Sequence, residues 1–454
     1  MHPLLHTPQT PIDSKWFCKI LPYTDELYIT LGIPHEQLAA LRASFESKPF
    51  NPDLRPIHLD PDDYRQRNDA LRVLLQQILV QEPNSTVRQA YGLKIEELIT
   101  QNDLVVAAVN NDTDALRQQN RWLYGTAEQS AFSGVCAWIR QTANEYFHSA
   151  IPHIAKAALD TLEHLPNIDG NTHTILPDDH LFKRVRDAHF ESGGFIAQLF
   201  DNAVIPDIVS PETGDPLTQA AIKAVGSQYG LRDSMDSLWG VIHSEHSVVR
   251  PAGYSLQRPE FMGIVSHEIG SHLLERENGL RQPLQLLSVG LDRYEASNEG
   301  RAFLREQIMY RTPYELLGES AWEHIVLLYL SSGLASGTYQ QPYDFVSLYR
   351  VILPVCMLLK ARHLPDNPVL ADVQARDEAW QICTRAAKGT SGQGGAFNKG
   401  LVYLNGNIAA WQMAAKNPDY IFFGDAGKFD ISRPDHQQIL ADFDITLQDY
   451  PKPT

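Results

Sequence analysis

Cysteine is scarce in this chain. The 454 residues hold four, Cys18, Cys136, Cys356 and Cys383, widely spaced and forming no C-x-x-C pair. That excludes a disulfide-framed scaffold and fits free, mostly buried thiols in a reducing compartment. Long apolar runs are missing too. The longest, Val351 to Leu359, is nine residues between Arg350 and Lys360, far short of the ~20 needed to cross a bilayer. The opening Met-His-Pro-Leu-Leu-His-Thr-Pro lacks the basic region, apolar stretch and cleavage site of an export signal. The expectation is a cytoplasmic protein with no membrane partner. Positive charge is the third deficit: 38 Lys and Arg stand against 55 Asp and Glu, a net charge of −17. This argues against nucleic acid as a partner. No G-x-S-x-G elbow points to a serine nucleophile.

What the chain does have is His267-Glu268-Ile269-Gly270-Ser271-His272. Neutral imidazoles bind Zn²⁺ through nitrogen, and a neighbouring carboxylate takes a proton from activated water. The common hydrolase spacing puts the histidines four apart; here they are five apart. On a regular helix an i,i+4 pair diverges by about 40° and an i,i+5 pair by about 140°. Two ligands to one ion therefore require a π-bulge between them, and Gly270 is a permissive place for it. Pro259 and Glu260 suit the first turn of the helix. Phe261, Ile264, Val265, Ile269, Leu273 and Leu274 supply its apolar stripe, and Asn278-Gly279 its stop.

A third ligand should come from a second helix. The stretch from Gly290 to Leu304 offers Glu295 and Glu299 on one face, and spacing does not choose between them. The run Gly263-Ile-Val-Ser-His-Glu-Ile-Gly-Ser-His272, then Asn278-Gly279 to Leu284, then Gly290-Leu291 through Tyr294 to Asn298-Glu299-Gly300, resembles the tyrosine carboxypeptidase family. That family comprises the microtubule-associated tyrosine carboxypeptidases and their bacterial relatives. A second block, Cys383 to Thr390 and Phe397 to Gly406, is similar to its C-terminal signature, so the resemblance spans roughly residues 180 to 410. The bent helix also looks like that of dipeptidyl peptidase III.

The resemblance implies one Zn²⁺ per chain, held by His267, His272 and Glu299, with Glu268 as general base and Glu295 as a neighbour. It implies a zinc metallocarboxypeptidase that removes a C-terminal, bulky or aromatic residue from a peptide or protein with a free C-terminus. The alternatives are an endopeptidase or amide hydrolase for one dedicated partner, and a non-catalytic zinc-stabilised module. Tyr403, Tyr294 and Tyr310 are the candidates to stabilise the oxyanion, with Tyr403 taken forward as catalytic. Arg385 and Lys399, both within the second block, are the substrate-binding cations for a terminal carboxylate. The Gly389–Gly395 stretch is expected to wrap that end of the cleft. Two departures from the family pattern, Arg301 and Gly400, are expected near the cleft and so bear on substrate preference. The acidic net charge weighs against tubulin's acidic tails as substrate.

His243-Ser-Glu-His246 looks like a metal pair, but it reads as a strand and its turn, with the two imidazoles on opposite faces. Asp178-Asp179-His180 reads as a turn and helix start after Pro177. The expected fold is α+β and mostly helical. An N-terminal helical region, residues 1–165, precedes a gluzincin-like zinc-peptidase domain with a small sheet, residues 166–454. The boundary is placed at the Pro166–Thr172 break, and the cleft between the two is the expected site.

Overall fold

The computed structural model describes residues 8–25, 27–147, 151–165, 175–191, 199–200, 204–234, 239–312, 320–338 and 341–445. The proposed boundary at 166–172 lies outside them.

The first third is helical: α1 (Ser14–Ile20), α2 (Leu27–Thr30), α3 (His35–Ser47), α4 (Pro61–Gln81), α5 (Ser85–Asn110), α6 (Thr113–Tyr124), α7 (Gln129–Tyr146) and α8 (Pro152–Glu163). Caps set several starts. Asp60 accepts from the Asp62 N–H, with Pro61 following, and Asn84 accepts from Thr86 and Val87. Next come α9 (Asp179–Glu191), started by Asp178 accepting from the Leu181 N–H, and α10 (Pro211–Ala224).

Short strands occupy the middle. β2 (Gly230–Asp233) runs parallel to β4 (Ser247–Arg250), which pairs antiparallel with β3 (Gly240–Ile242). β1 (Ile208–Val209) pairs antiparallel with β5 (Leu256–Gln257). β5 leads directly into α11 (Arg258–His267), where Pro259 sits in the first turn and Gln257 and Glu260 close a capping box. The architecture is mostly helical α+β with small sheets, as expected.

After α12 (Leu274–Gly279) come α13 (Glu295–Gln307), α14 (Ser320–Ala335), α15 (Phe345–His363), α16 (Pro368–Ala386), α17 (Lys399–Lys416) and α18 (Pro434–Asp442). Two large apolar clusters organise the chain. The first joins Trp16, Leu71, Ile78 and Tyr91 to Phe261, Val265, Ile269 and Leu273. The second joins Phe45, Phe132 and Trp138 to the inner faces of α14 to α17. Both therefore bury residues from the N-terminal helices together with residues beyond 239.

α13 lies between the clusters, with Leu304 and Ile308 in the first and Phe303 against the second. It meets α17 backbone to backbone. A Cβ on Gly300 would collide with the Gly406 carbonyl oxygen, and one on Gly406 with that of Ala296. Glycine at both positions brings the helix carrying Glu299 against the helix carrying Tyr403.

One expectation about the cleft is corrected here. Arg301 is fully buried against Glu275 and Phe429 rather than near the cleft. Gly400 does adjoin the cavity wall, next to Lys399 and against Leu328, and its lack of a side chain serves packing, since a Cβ there would strike Ser332 on α14. The Gly389–Gly395 loop packs on the N-terminal segment and the start of α15: the Leu54 N–H donates to the Thr390 carbonyl, the Gly389 N–H to that of Leu54, and the Phe345 N–H to that of Gly392.

Candidate metal centre

The five-residue spacing is resolved by a π-helical turn, Glu268–Leu273, between α11 and α12. Such a turn strands a backbone carbonyl, and a buried carbonyl needs a donor. Arg305, reaching from α13, donates to the Gly270 carbonyl and to Ser271 Oγ at 3.4 Å. Its other nitrogens bond the Ile421 carbonyl and Asp425, so the clamp is itself fixed.

The turn brings both imidazoles to one point. Ligand atoms of His267, His272 and Glu299 all lie within 4.8 Å of one another. Glu299 Oε2 is 3.7 Å from His267 Nε2 and 3.5 Å from His272 Nε2. Four-coordinate zinc, with bonds near 2.0–2.1 Å, spaces its ligands by about 3.4 Å. The donor set and its spacing therefore fit a zinc ion. Glu268 Oε1 is 4.0 Å from His267 Nε2, beside the cluster without being part of it.

Glu306, absent from the sequence reading, orients His267. Its Oε2 lies 2.8 Å from Nδ1, which places the imidazole proton there and leaves Nε2 as the lone-pair donor. Gly263 makes room for it, since a Cβ there would come within 3.0 Å of Glu306 Cγ. Burial opposes charge on His267, but Glu299 and Glu306 carry its pKa well above the usual value. Burial works against ionised Glu299 too, and His272 and His267 nonetheless hold it well below the usual range. Burial raises Glu268. Glu306→Ala is expected to weaken zinc binding by about 10–100-fold, and Glu306→Gln by less, in chelator competition. Unchanged affinity in both would show that the contact does not orient the ligand.

A second triad, Asp292, Asp435 and His436, also brings its donor atoms within 4.8 Å of one another, but those atoms are already engaged. Arg433 reaches Asp292 at 2.7 Å and Asp435 at 2.5 Å. His436 Nδ1 accepts from the Asp430 N–H, and Nε2 lies 3.0 Å from Asp292. This is an ion-paired lock carrying its own cation.

The first cluster opens into a cavity of about 590 Å³. Its described walls run from Trp239 to Lys428, and Ile264 faces it rather than the core. Arg385, Lys399, Tyr403, Tyr294, Tyr310 and Glu295 all border it. Lys399 Nζ is paired with Glu295 at 2.9 Å. Arg385 bonds two neutral groups, His324 Nε2 at 2.9 Å and Tyr403 Oη at 3.4 Å. Burial, with Glu299 nearby, raises the Tyr403 phenol to about 12, so it remains a donor.

His243 borders the cavity too, in keeping with its place just ahead of the metal helix. It begins a 3₁₀ turn after β3, with Lys428 Nζ 2.8 Å from Nε2 and Tyr229 Oη 3.2 Å from Nδ1. An adjoining cavity of about 540 Å³ shares His243, Tyr294, Glu295, Lys399 and Lys428, and its far wall comes from α2 and α5. The N-terminal helices α2 and α5 thus border this adjoining cavity.

Two imidazoles and a carboxylate around one point, with a spare glutamate in a cleft, form the kind of site found in metal-dependent hydrolases. Comparison with known proteins narrows the class. The family model described as microtubule-associated tyrosine carboxypeptidase matches residues 240–315, which hold the whole cluster. Microtubule-associated tyrosine carboxypeptidase 1 of Mus musculus is 27% identical over 150 residues. Its Homo sapiens counterpart is 26% identical over 152. Each match covers 32% of this chain and 26% of the relative, so the chain spans about a quarter of the length of the curated relatives it matches. No solved structure matches the chain significantly. The chain is thus weakly homologous, over part of its length, to the tyrosine carboxypeptidase family. Arg385, Lys399 and Tyr403 lie outside the matched 240–315 stretch. No helix among the described residues is long and apolar enough to cross a membrane.

Proposed function

We propose that this chain is a zinc-dependent carboxypeptidase of gluzincin type, removing a bulky or aromatic residue from the free C-terminus of a peptide or protein. The observation that carries the reading is the convergence of His267, His272 and Glu299 beside Glu268, in a cavity whose wall presents Arg385. Zinc, when bound, supplies the Lewis acid that polarises the scissile carbonyl and makes water nucleophilic near neutral pH.

The chain's own residues do the rest. The Glu268 carboxylate accepts a proton from the attacking water and returns it to the peptide nitrogen as the C–N bond breaks. Tyr403 Oη donates to the oxygen that gains charge at the scissile carbonyl. Arg385, bonded only to neutral neighbours among the described residues, keeps its charge for the terminal carboxylate. Lys399, already paired with Glu295, adds positive potential more weakly. Phe303, Ile325 and Leu328 give the same cavity an apolar wall for the departing side chain.

The test is mass spectrometry of a free-C-terminus peptide library incubated with zinc-loaded protein, with Glu268→Gln as blank. Loss of single C-terminal residues, abolished by C-terminal amidation, is the expected result. Internal cuts that survive amidation would establish an endopeptidase instead. Intact peptides throughout would remove peptide hydrolysis in favour of a dedicated folded partner or a binding role.

A further inference from the structure

Glu378, Gln381 and Arg385 lie at spacings of three and four on α16, and all three border the cavity. His324, from α14, bonds Arg385 there. We propose that His324 and Glu378 are positioning residues that aim the Arg385 guanidinium at the substrate's terminal carboxylate without neutralising it. This rests on the carboxypeptidase reading above.

The argument is one of donors, acceptors and charge. A guanidinium only donates, so His324 Nε2, 2.9 Å from Arg385 Nη1, must accept. His324 is then neutral, with its proton on Nδ1, the atom that faces Glu378 Oε1 at 3.9 Å. Burial lowers the His324 pKa, and the nearby Arg385 and Lys360 lower it further against the pull of Glu378. The other Glu378 oxygen lies 2.9 Å from Lys360 Nζ on α15.

Charge along this line runs Lys360 positive, Glu378 negative, His324 neutral, Arg385 positive. Glu378 is balanced by Lys360 on its far side. A carboxylate bonded directly to Arg385 would orient it equally well, but would also occupy the donors that a substrate needs. An imidazole between the two orients the guanidinium through its Nε2, faces Glu378 at 3.9 Å with its other nitrogen, and leaves the positive charge in place. Glu323, adjacent to His324 in sequence, does not compete, because Arg362 and His363 hold it. The rings of Tyr28 and Tyr403 flank the guanidinium at 5.4 and 5.9 Å and limit its swing.

The test separates this proposal from the reading beneath it. The zinc-loaded Glu268→Gln variant of the 454-residue chain, which binds without cleaving, is titrated calorimetrically with acetyl-Ala-Ala-Ala-Phe as free acid and as C-terminal amide. The parent is expected to prefer the acid by on the order of tenfold or more. His324→Leu and Glu378→Gln, at unchanged zinc content, should each lose most of that preference. His324→Gln, whose amide oxygen accepts from Arg385, should retain it. A merely structural role would weaken acid and amide alike and leave their ratio intact. An unchanged ratio in His324→Leu would overturn the positioning role while leaving the carboxypeptidase in place. A ratio of one in the parent would remove the carboxypeptidase reading, and this proposal with it. Should His324→Leu fail to fold, Glu378→Gln decides by the same ratio.

Discussion

Glu268→Gln is expected to lower peptide turnover by about 100-fold or more while zinc stays at one per chain. The amide matches the carboxylate in size and cannot accept a proton from water. The residue also stands apart from the donor set. Its carboxylate lies 4.0 Å from His267 Nε2, while Glu299 sits between both imidazoles. Metal affinity and rate should therefore separate. His272→Ala, by contrast, is expected to lose zinc and activity together, since it removes one of the three proposed donors. The measurement is kcat on a peptide cleaved by the parent, paired with metal content by mass spectrometry. Full activity in Glu268→Gln would remove the general base. Zinc loss in that variant would instead make Glu268 a ligand.

The metal helix was legible because its chemistry is written along one segment. Two histidines five apart and a glycine between them demand a π-turn if they share an ion, and the turn is there. What holds the turn open was not legible. Arg305 reaches the Gly270 carbonyl from another helix, and a backbone acceptor leaves no mark in side-chain spacing. Glu306 left a trace that went unused. It follows Glu299 by seven residues, two helical turns on the same face, which directs both carboxylates towards one histidine pair. The misplacement of Arg301 has the same root. Two residues past Glu299 is about 200° around the helix, so a residue near a ligand in sequence points away from it. His243 begins a 3₁₀ turn, for which neither strand nor helix periodicity applies, so only its position just ahead of the metal helix pointed to the cleft. Arg385 and Tyr403 could be picked because both fall in the second block that resembles the family, Cys383 to Thr390 and Phe397 to Gly406. Their bond to each other, and the His324–Glu378 backing, depend on how α14, α16 and α17 pack.

Arg301→Met is expected to destabilise the protein by about 3–5 kcal/mol. Arg301 and Glu275 are both fully buried and paired at 3.3 Å. Arg301 Nη1 also donates to Ser297 Oγ at 2.9 Å, and Asn298 donates to Glu275. Glu275 sits three residues after His272, just past the π-turn, and Arg301 two after Glu299, so this pair ties α12 to the helix that carries Glu299. Burial raises the Glu275 pKa, and Arg301 and Arg305 pull it back. Methionine fills the space without charge and leaves that carboxylate uncompensated in the core. Adding Glu275→Gln removes the orphaned charge and keeps an oxygen for Asn298, so the double variant should recover most of the loss. Zinc affinity should follow the same pattern, falling in Arg301→Met and returning in the double variant. Urea melts with zinc competition on all four proteins of the cycle measure both. A single-variant loss below about 1 kcal/mol, or simple additivity across the cycle, would show that α12 and α13 are held by apolar packing alone.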